Sequence, residues 1–305
     1  MRNLIRVIFG STCLCAVLFS GSVIGAEEGA EPAKSLHHVE AKACKQCHEE
    51  IYAQWVGSMH AQSSALKDPI HGAFYQNVVG DPKQEGVKMK NGKYPVCHKC
   101  HAPVAAMEKK TKLDSANAYA DGIHCVTCHS FKAFKGSDTA DGKPLYGIDA
   151  YEIDTESLHG PSGITYTQER TPEDATWPTP VHHPQPMSGN KAELFKSNDI
   201  CMGCHEKRAN AHGTPLCRTG DEYRADKSFV ACQACHMAMV TVPKLKEGQV
   251  VPGEFVTIAD HGMAGGHDEK MVSRGLAMEM EVDQGDSAIK AKLTLRNRLP
   301  HSYPT

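Results

Sequence analysis

Cys44-Lys45-Gln46-Cys47-His48 decides the fold, because its pattern recurs as Cys97-His-Lys-Cys100-His101, Cys125-Val-Thr-Cys128-His129, Cys201-Met-Gly-Cys204-His205 and Cys232-Gln-Ala-Cys235-His236. With 13 Cys and 18 His in 305 residues, random placement yields about 0.03 such pentapeptides in the whole chain, so five copies are no accident of composition. Two thiols three residues apart lie on one side of a helical turn and can add to the two vinyl groups of one porphyrin. The adjacent histidine then reaches under the ring to its iron. Each copy therefore reads as a covalent haem c attachment site. The thioethers fall on Cys44, Cys47, Cys97, Cys100, Cys125, Cys128, Cys201, Cys204, Cys232 and Cys235, and the first axial ligands are His48, His101, His129, His205 and His236. Cys-x-x-Cys pairs also bind zinc, but a histidine directly after the second cysteine in all five favours haem.

Outside the motifs, Arg2 and Arg6 precede an apolar run from Val7 to Val23 that ends in Gly25 and Ala26. Residues 1–26 thus form a cleavable secretory signal rather than a membrane anchor, since the run is short and broken by Ser and Gly. Cys13 and Cys15 leave with it and ten cysteines serve the motifs, so Cys217 alone remains and no disulfide framework is available within one copy. The formal charge of −3 becomes −5 without the two arginines. No basic run suggests nucleic acid. Aromatic residues are only 6% of the chain, so porphyrin is expected to supply much of the core and the haem-free chain to fold poorly.

The expected fold class is mainly α with long irregular haem-wrapping loops and a small C-terminal β-hairpin. Residues 27–40 form a flexible lead, 41–270 a pentahaem domain and 271–305 an incomplete β domain. Ile51, Trp55 and Met59 recur every four residues, which predicts one helix from Gln46 to about Leu66, stopped by Asp68-Pro69. Residues 80–94 read as a surface loop. The proline-rich connection from Phe131 to Ile200 is too long for an idle loop and is expected to wrap haems and donate ligands. Asn198 is expected to cap a helix into the fourth motif. Leu276, Met278, Met280 and Val282 alternate with polar residues, as do Ile289, Ala291, Leu293 and Leu295 after Gly285-Asp286, the pattern of a hairpin.

The second axial ligand of each iron decides function, because a second histidine gives a six-coordinate electron carrier whereas an open face permits substrate chemistry. His60 lies twelve residues past His48, about 18 Å along one helix, so it is expected to serve a neighbouring iron. His159, one of His182 and His183, and His261 follow, each in a loop beside Gly or Pro, where small neighbours let a ring approach porphyrin. His98 reads as solvent-facing. His124 stays open between the two roles, and His37, His38, His71, His212, His267 and His301 carry no assignment. Met59, Met237 and Met263 are alternative sulfur ligands near the sites, although such methionines read mostly as packing residues. Cys217 reads as a buried small apolar residue, with a labile thiol or an iron ligand as its alternatives.

The run Cys44-x-x-Cys47-His48, Ile51-Tyr52, Trp55, Ser58, His60-Ala61, then Cys100-His101-Ala-Pro103, Gly122-Ile-x-Cys125, Cys235-His236-Met237, Asp260-His261 and Gly265-Gly266-His267 resembles the multihaem cytochromes c related to the nitrifier tetrahaem cytochrome. The likeness covers most of residues 40–270. It implies that His60 and His261 are distal ligands. A β domain with Asn-x-x-x-Gly-His-x-x-Pro-Thr-Gly commonly follows in that class, and Asn297-Arg-Leu-Pro-His301-Ser-Tyr-Pro-Thr305 matches its start. This is similar to Ext-type selenocytochromes of metal-reducing bacteria, in which a stop codon encodes selenocysteine, so the β-sandwich is expected to be truncated here; a stop other than UGA after Thr305 excludes that expectation.

The expected function is an exported relay in the periplasm or at the cell surface. It exchanges electrons with other redox proteins or cytochromes, within a membrane-associated conduit in one form of the expectation, and needs no small-molecule substrate. The alternatives are a reductase of a small nitrogen or sulfur oxyanion at one five-coordinate haem, and a subunit of a haem filament.

Overall fold

The computed structural model describes residues 35–163, 165, 183, 185–206, 208–209 and 213–303. The signal segment, His182 and His212 lie outside the described residues.

Among the described residues eleven short α-helices alternate with loops: α1 (Ala41–Cys44), α2 (Glu49–Val56), α3 (Pro69–Val78), α4 (His98–His101), α5 (Pro103–Met107), α6 (Asn117–Ala120), α7 (Cys125–His129), α8 (Asp199–His205), α9 (Thr219–Asp226), α10 (Cys232–His236) and α11 (Glu269–Gly275). Strands occur only as separate antiparallel pairs: β1 (Phe131–Phe134) with β2 (Tyr151–Ile153), β3 (Arg208–Ala209) with β4 (Pro215–Cys217), β5 (Met239–Lys246) with β6 (Gln249–Ala259), and β7 (Leu276–Gln284) with β8 (Ile289–Asn297). The expected class, helical with long loops and a C-terminal hairpin, is what the chain adopts. No described helix is long and apolar enough to cross a membrane.

The single helix expected from Gln46 to Leu66 is not formed. α2 ends at Val56 before Gly57, and the chain continues in turns. The cause is local: Ser58 Oγ accepts from Ala61 N, and Ser63 Oγ donates to the His60 and His101 carbonyls, side-chain bonds that compete with a helical ladder. Asp68-Pro69 then opens a helix rather than closing one. The Asp68 carboxylate accepts from the N–H groups of Ile70 and His71, and Pro69 sits where a missing N–H costs nothing. His71 is thereby fixed in the first turn of α3.

Apolar packing is divided among small clusters rather than gathered into one core. Tyr75, Val104, Ala105 and Leu113 are fully buried in one. Phe131 and Tyr151 stack at 3.9 Å in a second, and Trp55 closes a third, its indole N–H donating to the Ile123 carbonyl at 2.9 Å. Asn198 does occupy the N-cap position of α8, but its side chain does not cap that helix; it accepts from Cys232 N at 2.8 Å and so ties the fifth motif to the fourth. β5 and β6 form a hairpin that sequence alternation did not single out. Its two-residue loop is Glu247-Gly248, both at positive φ (54° and 82°), as a type I′ turn requires.

Candidate haem-binding sites

All five Cys-x-x-Cys-His copies fall on short helices or the turns that extend them, which directs both thiols and the histidine to one side. In the first, α1 ends at Cys44 and His48 stands at the N-cap of α2. The second, third, fourth and fifth lie on α4, α7, α8 and α10, respectively.

The motif histidines do not stand alone. His48 faces His183 with ring centroids 6.2 Å apart, His205 faces His60 at 6.2 Å, and His236 faces His301 at 6.4 Å. A metal–imidazole bond is about 2 Å, and each ring centroid lies about 1.1 Å behind its nitrogen, so two imidazoles sharing one ion hold their centroids about 6 Å apart. Three motifs thus meet the spacing of a bis-histidine iron. His101 pairs with His71 at 4.1 Å, closer than that by about 2 Å on the same reckoning. His129 is electrostatically coupled to His261, which also acts on His48.

Hydrogen bonding orients the rings in the same sense. Through Nδ1, His101 and His71 bond the Ser63 carbonyl (3.1 and 2.9 Å), His129 bonds that of His159 (2.6 Å) and His236 that of Ala264 (2.6 Å). His183, His261 and His301 likewise bond the carbonyls of Gln185, Ala259 and Ser302. Spending Nδ1–H on a carbonyl leaves the Nε2 lone pair for a metal, the tautomer a ligating histidine needs. Burial, reinforced by neighbouring imidazoles, lowers His60 and His101 to about 4. Burial likewise lowers His129 to about 4. Neutral rings with a free nitrogen are the ligand-competent form. The donor set therefore fits haem iron.

Other candidates fare differently. Both ring nitrogens of His159 are engaged, with the Ser188 carbonyl and the Asp154 carboxylate, and its own carbonyl holds His129. Through that carbonyl it orients a motif histidine. The free nitrogens of His71 and His98 are buried without a partner, as is Tyr75 Oη. His98, expected at the surface, is fully buried; it bonds Tyr94 and stacks on Tyr75. His124 is buried with neither nitrogen satisfied. Met263 Sδ touches His60 Nδ1. Cys217 Sγ lies 3.7 Å from His205 Nδ1, half-buried.

Sequence reasoning passed over His71 and His301. For His301 a signal existed in the Asn297-x-x-x-His301 spacing; Asn297 Nδ2 donates to the His301 carbonyl and shapes the loop. For His71 the signal is Asp68-Pro69, a pair that opens a helix here as readily as it ends one.

The motifs also approach one another. The Cys44 thiol hydrogen-bonds that of Cys125, and Cys201 that of Cys232. Cys128 acts electrostatically on Cys201, and His205 on His101. Spatial order therefore runs first, third, fourth, fifth, with the second beside the fourth. Cys47 and Cys235, at the two ends of that series, are exposed, whereas the eight other motif cysteines are half-buried.

Residues 43–130 match the family model described as cytochrome c554 and c-prime. With the repeated attachment motifs and facing histidines, the comparisons define a class, and the chain belongs to it: the multihaem c-type cytochromes. The particular likeness is to the crystal structure of a penta-haem cytochrome c552 from Thermochromatium tepidum, with TM-score 0.72 and 40% identity over 89% of this chain and 69% of that one. No curated protein matches the chain by sequence. Covalently bound haem c is accordingly its cofactor and electron transfer its role.

Proposed function

We propose that the protein carries five haems c and relays electrons along the spatial order first, third, fourth, fifth motif, with the second as a branch on the fourth. When bound, haem c supplies the one-electron Fe(III)/Fe(II) couple. The chain contributes the attachment cysteines, the proximal histidines, and the distal set His183 for the first motif, His71 for the second, His261 for the third, His60 for the fourth and His301 for the fifth. His159 positions His129 through its carbonyl.

The observation that carries this reading is the repeated facing of a motif histidine by a non-motif histidine at 6.2–6.4 Å. Two histidines on each iron keep it six-coordinate in both redox states, which suits transfer rather than substrate turnover. The exposed Cys47 and Cys235 mark the two ends at which redox proteins exchange electrons with the chain. The signal segment of the sequence supports export, to the periplasm or the cell surface. A haem-per-chain count with electron paramagnetic resonance of the oxidised protein tests the proposal: five haems and only low-spin signals are expected.

A second reading has one observation in its favour. The second motif departs from the common spacing, with His71 only 4.1 Å from His101 and with Tyr75 Oη and His98 Nε2 buried and unpartnered nearby. A stoichiometric high-spin signal, lost in a His101 variant, assigns an open iron there and replaces the pure relay with reduction of a small oxyanion.

A further inference from the structure

Charge is spread unevenly along the chain. Residues 81–114, which hold the second motif, carry eight lysines against Asp81, Glu85, Glu108 and Asp114, a balance of +4, whereas the whole chain stands at −3 and the remainder therefore at −7. Two of the eight are neutralised, Lys99 by Asp149 and Lys112 by Asp114. The other six, Lys83, Lys88, Lys90, Lys93, Lys109 and Lys110, are exposed and form no ion pair among the described residues. Hydrogen bonds draw them onto one surface. Leu113 N donates to the Pro82 carbonyl at 2.8 Å, Gly86 N to Thr111 Oγ1 at 2.7 Å and Lys112 Nζ to the Lys83 carbonyl at 3.4 Å, which lays the loop of residues 80–94 along the segment that follows α5. Tyr94 Oη donates to the Lys110 carbonyl at 2.8 Å and bonds His98 Nδ1, inside the second motif, at 3.0 Å. The lysines therefore border the attachment site at Cys97 and Cys100. Gathering unpaired like charges on one face opposes folding by self-repulsion, and an oppositely charged partner relieves it.

We propose that this surface docks an acidic one-electron redox protein and that the second motif is the port at which its electrons enter. The partner's reduced centre gives one electron to Fe(III) of the second haem and is itself oxidised by one electron. Opposite potentials steer such an encounter and fix its orientation, raising on-rates by about 10- to 1,000-fold at low salt. The negative remainder of the chain repels the same partner, so approach is confined to this face. A lipid surface also attracts lysines, but it gives no electrons, and these lysines lie against a redox motif. The second motif is then an entrance rather than a dead end. Onward passage to the fourth motif rests on the relay proposed above; docking does not.

Stopped-flow reduction of the oxidised, haem-loaded chain by reduced plant-type [2Fe–2S] ferredoxin, a strongly acidic one-electron donor, reads the outcome, with photoreduced riboflavin as an uncharged donor. The ferredoxin rate is expected to fall about ten-fold or more from low to high salt. Lys88→Glu, Lys90→Glu and Lys93→Glu together are expected to slow it about ten-fold or more at low salt, with the riboflavin rate and haem content unchanged. The same charge change at Lys246, Lys270 and Lys290, exposed on β5, α11 and β8, is expected to leave the ferredoxin rate nearly as it was. Equal slowing by the two sets overturns the proposal, because it traces the effect to net charge. So does an unchanged rate in the first set, including when these lysines are found to bind phosphatidylglycerol vesicles instead. Cys97→Ala with Cys100→Ala is expected to keep salt-dependent binding of oxidised ferredoxin and to lose fast electron entry; fast entry without the second haem overturns the port. Where that variant loses other haems, the low-spin resonance that ferredoxin bleaches first in the unmodified chain decides by itself. A failed relay reads differently, as a second haem that is reduced quickly and does not pass its electron to the other four.

Discussion

His98 and His124 are each no more than 2% exposed, and burial lowers both from 6.5 to about 4. The folded chain therefore holds them neutral where an unfolded chain takes up protons, and stability is level above pH 6.5 and lost as pH falls from 6.5 towards 4. A falling denaturation midpoint across that window is expected, and a flatter one in His124→Leu, where an apolar side chain replaces an unsatisfied polar one. An unchanged slope in that variant counts against the assignment. Gly203, inside the fourth motif, is a packing position of another kind. A methyl group there meets the Tyr151 ring at 2.2 Å, and Tyr151 Oη accepts from Gly203 N at 2.9 Å. Gly203→Ala is expected to cost about 1–3 kcal/mol by overpacking, read as a lower thermal midpoint and weakened attachment at Cys201 and Cys204. Neither constraint was legible in the sequence. A histidine beside an attachment cysteine looks the same whether it faces solvent or core, and only the fold brings Tyr151 against residue 203.

Helix starts carry the second level of organisation. Asp68 caps α3 through two N–H groups and so sets His71 in its first turn. Asp68→Ala is expected to destabilise the protein by about 1 kcal/mol and to alter the spectrum of the second haem alone, with the other four unchanged. Loss of stability with no spectral change would remove His71 from that iron. The motif helices and the β7–β8 hairpin were legible because their signals are local: five identical spacings in one case, strict alternation around Gly285 in the other. The single helix to Leu66 was not. Its four-residue apolar period continues past Gly57, but serine side chains take the backbone bonds that the period presumed.

At the scale of the molecule, the described residues form four small apolar clusters rather than one continuous core, joined by motifs that approach through their cysteines. Preventing haem attachment is therefore expected to leave a chain with no cooperative thermal transition, since the porphyrin supplies missing core; a sharp transition in the haem-free chain argues otherwise. The spatial order of motifs makes a second global prediction. Replacing Cys125 and Cys128 by Ala is expected to slow electron passage between the first and fifth motifs by ten-fold or more, on the order expected for losing one preorganised step. The Cys97→Ala and Cys100→Ala pair leaves that passage intact, as measured by stopped-flow oxidation of the pre-reduced protein.

The sequence by itself determined the cofactor chemistry, because thioether attachment and one axial histidine are encoded within five consecutive residues. It also determined the helical and hairpin character that local periodicity carries. Only the tertiary structure decided which distant histidine faces each motif: His60 meets His205 across 144 intervening positions, and His301 meets His236 only after four strands and a helix. An iron needs its second ligand on the opposite face of a porphyrin, and a point across that plane has no fixed distance along the chain.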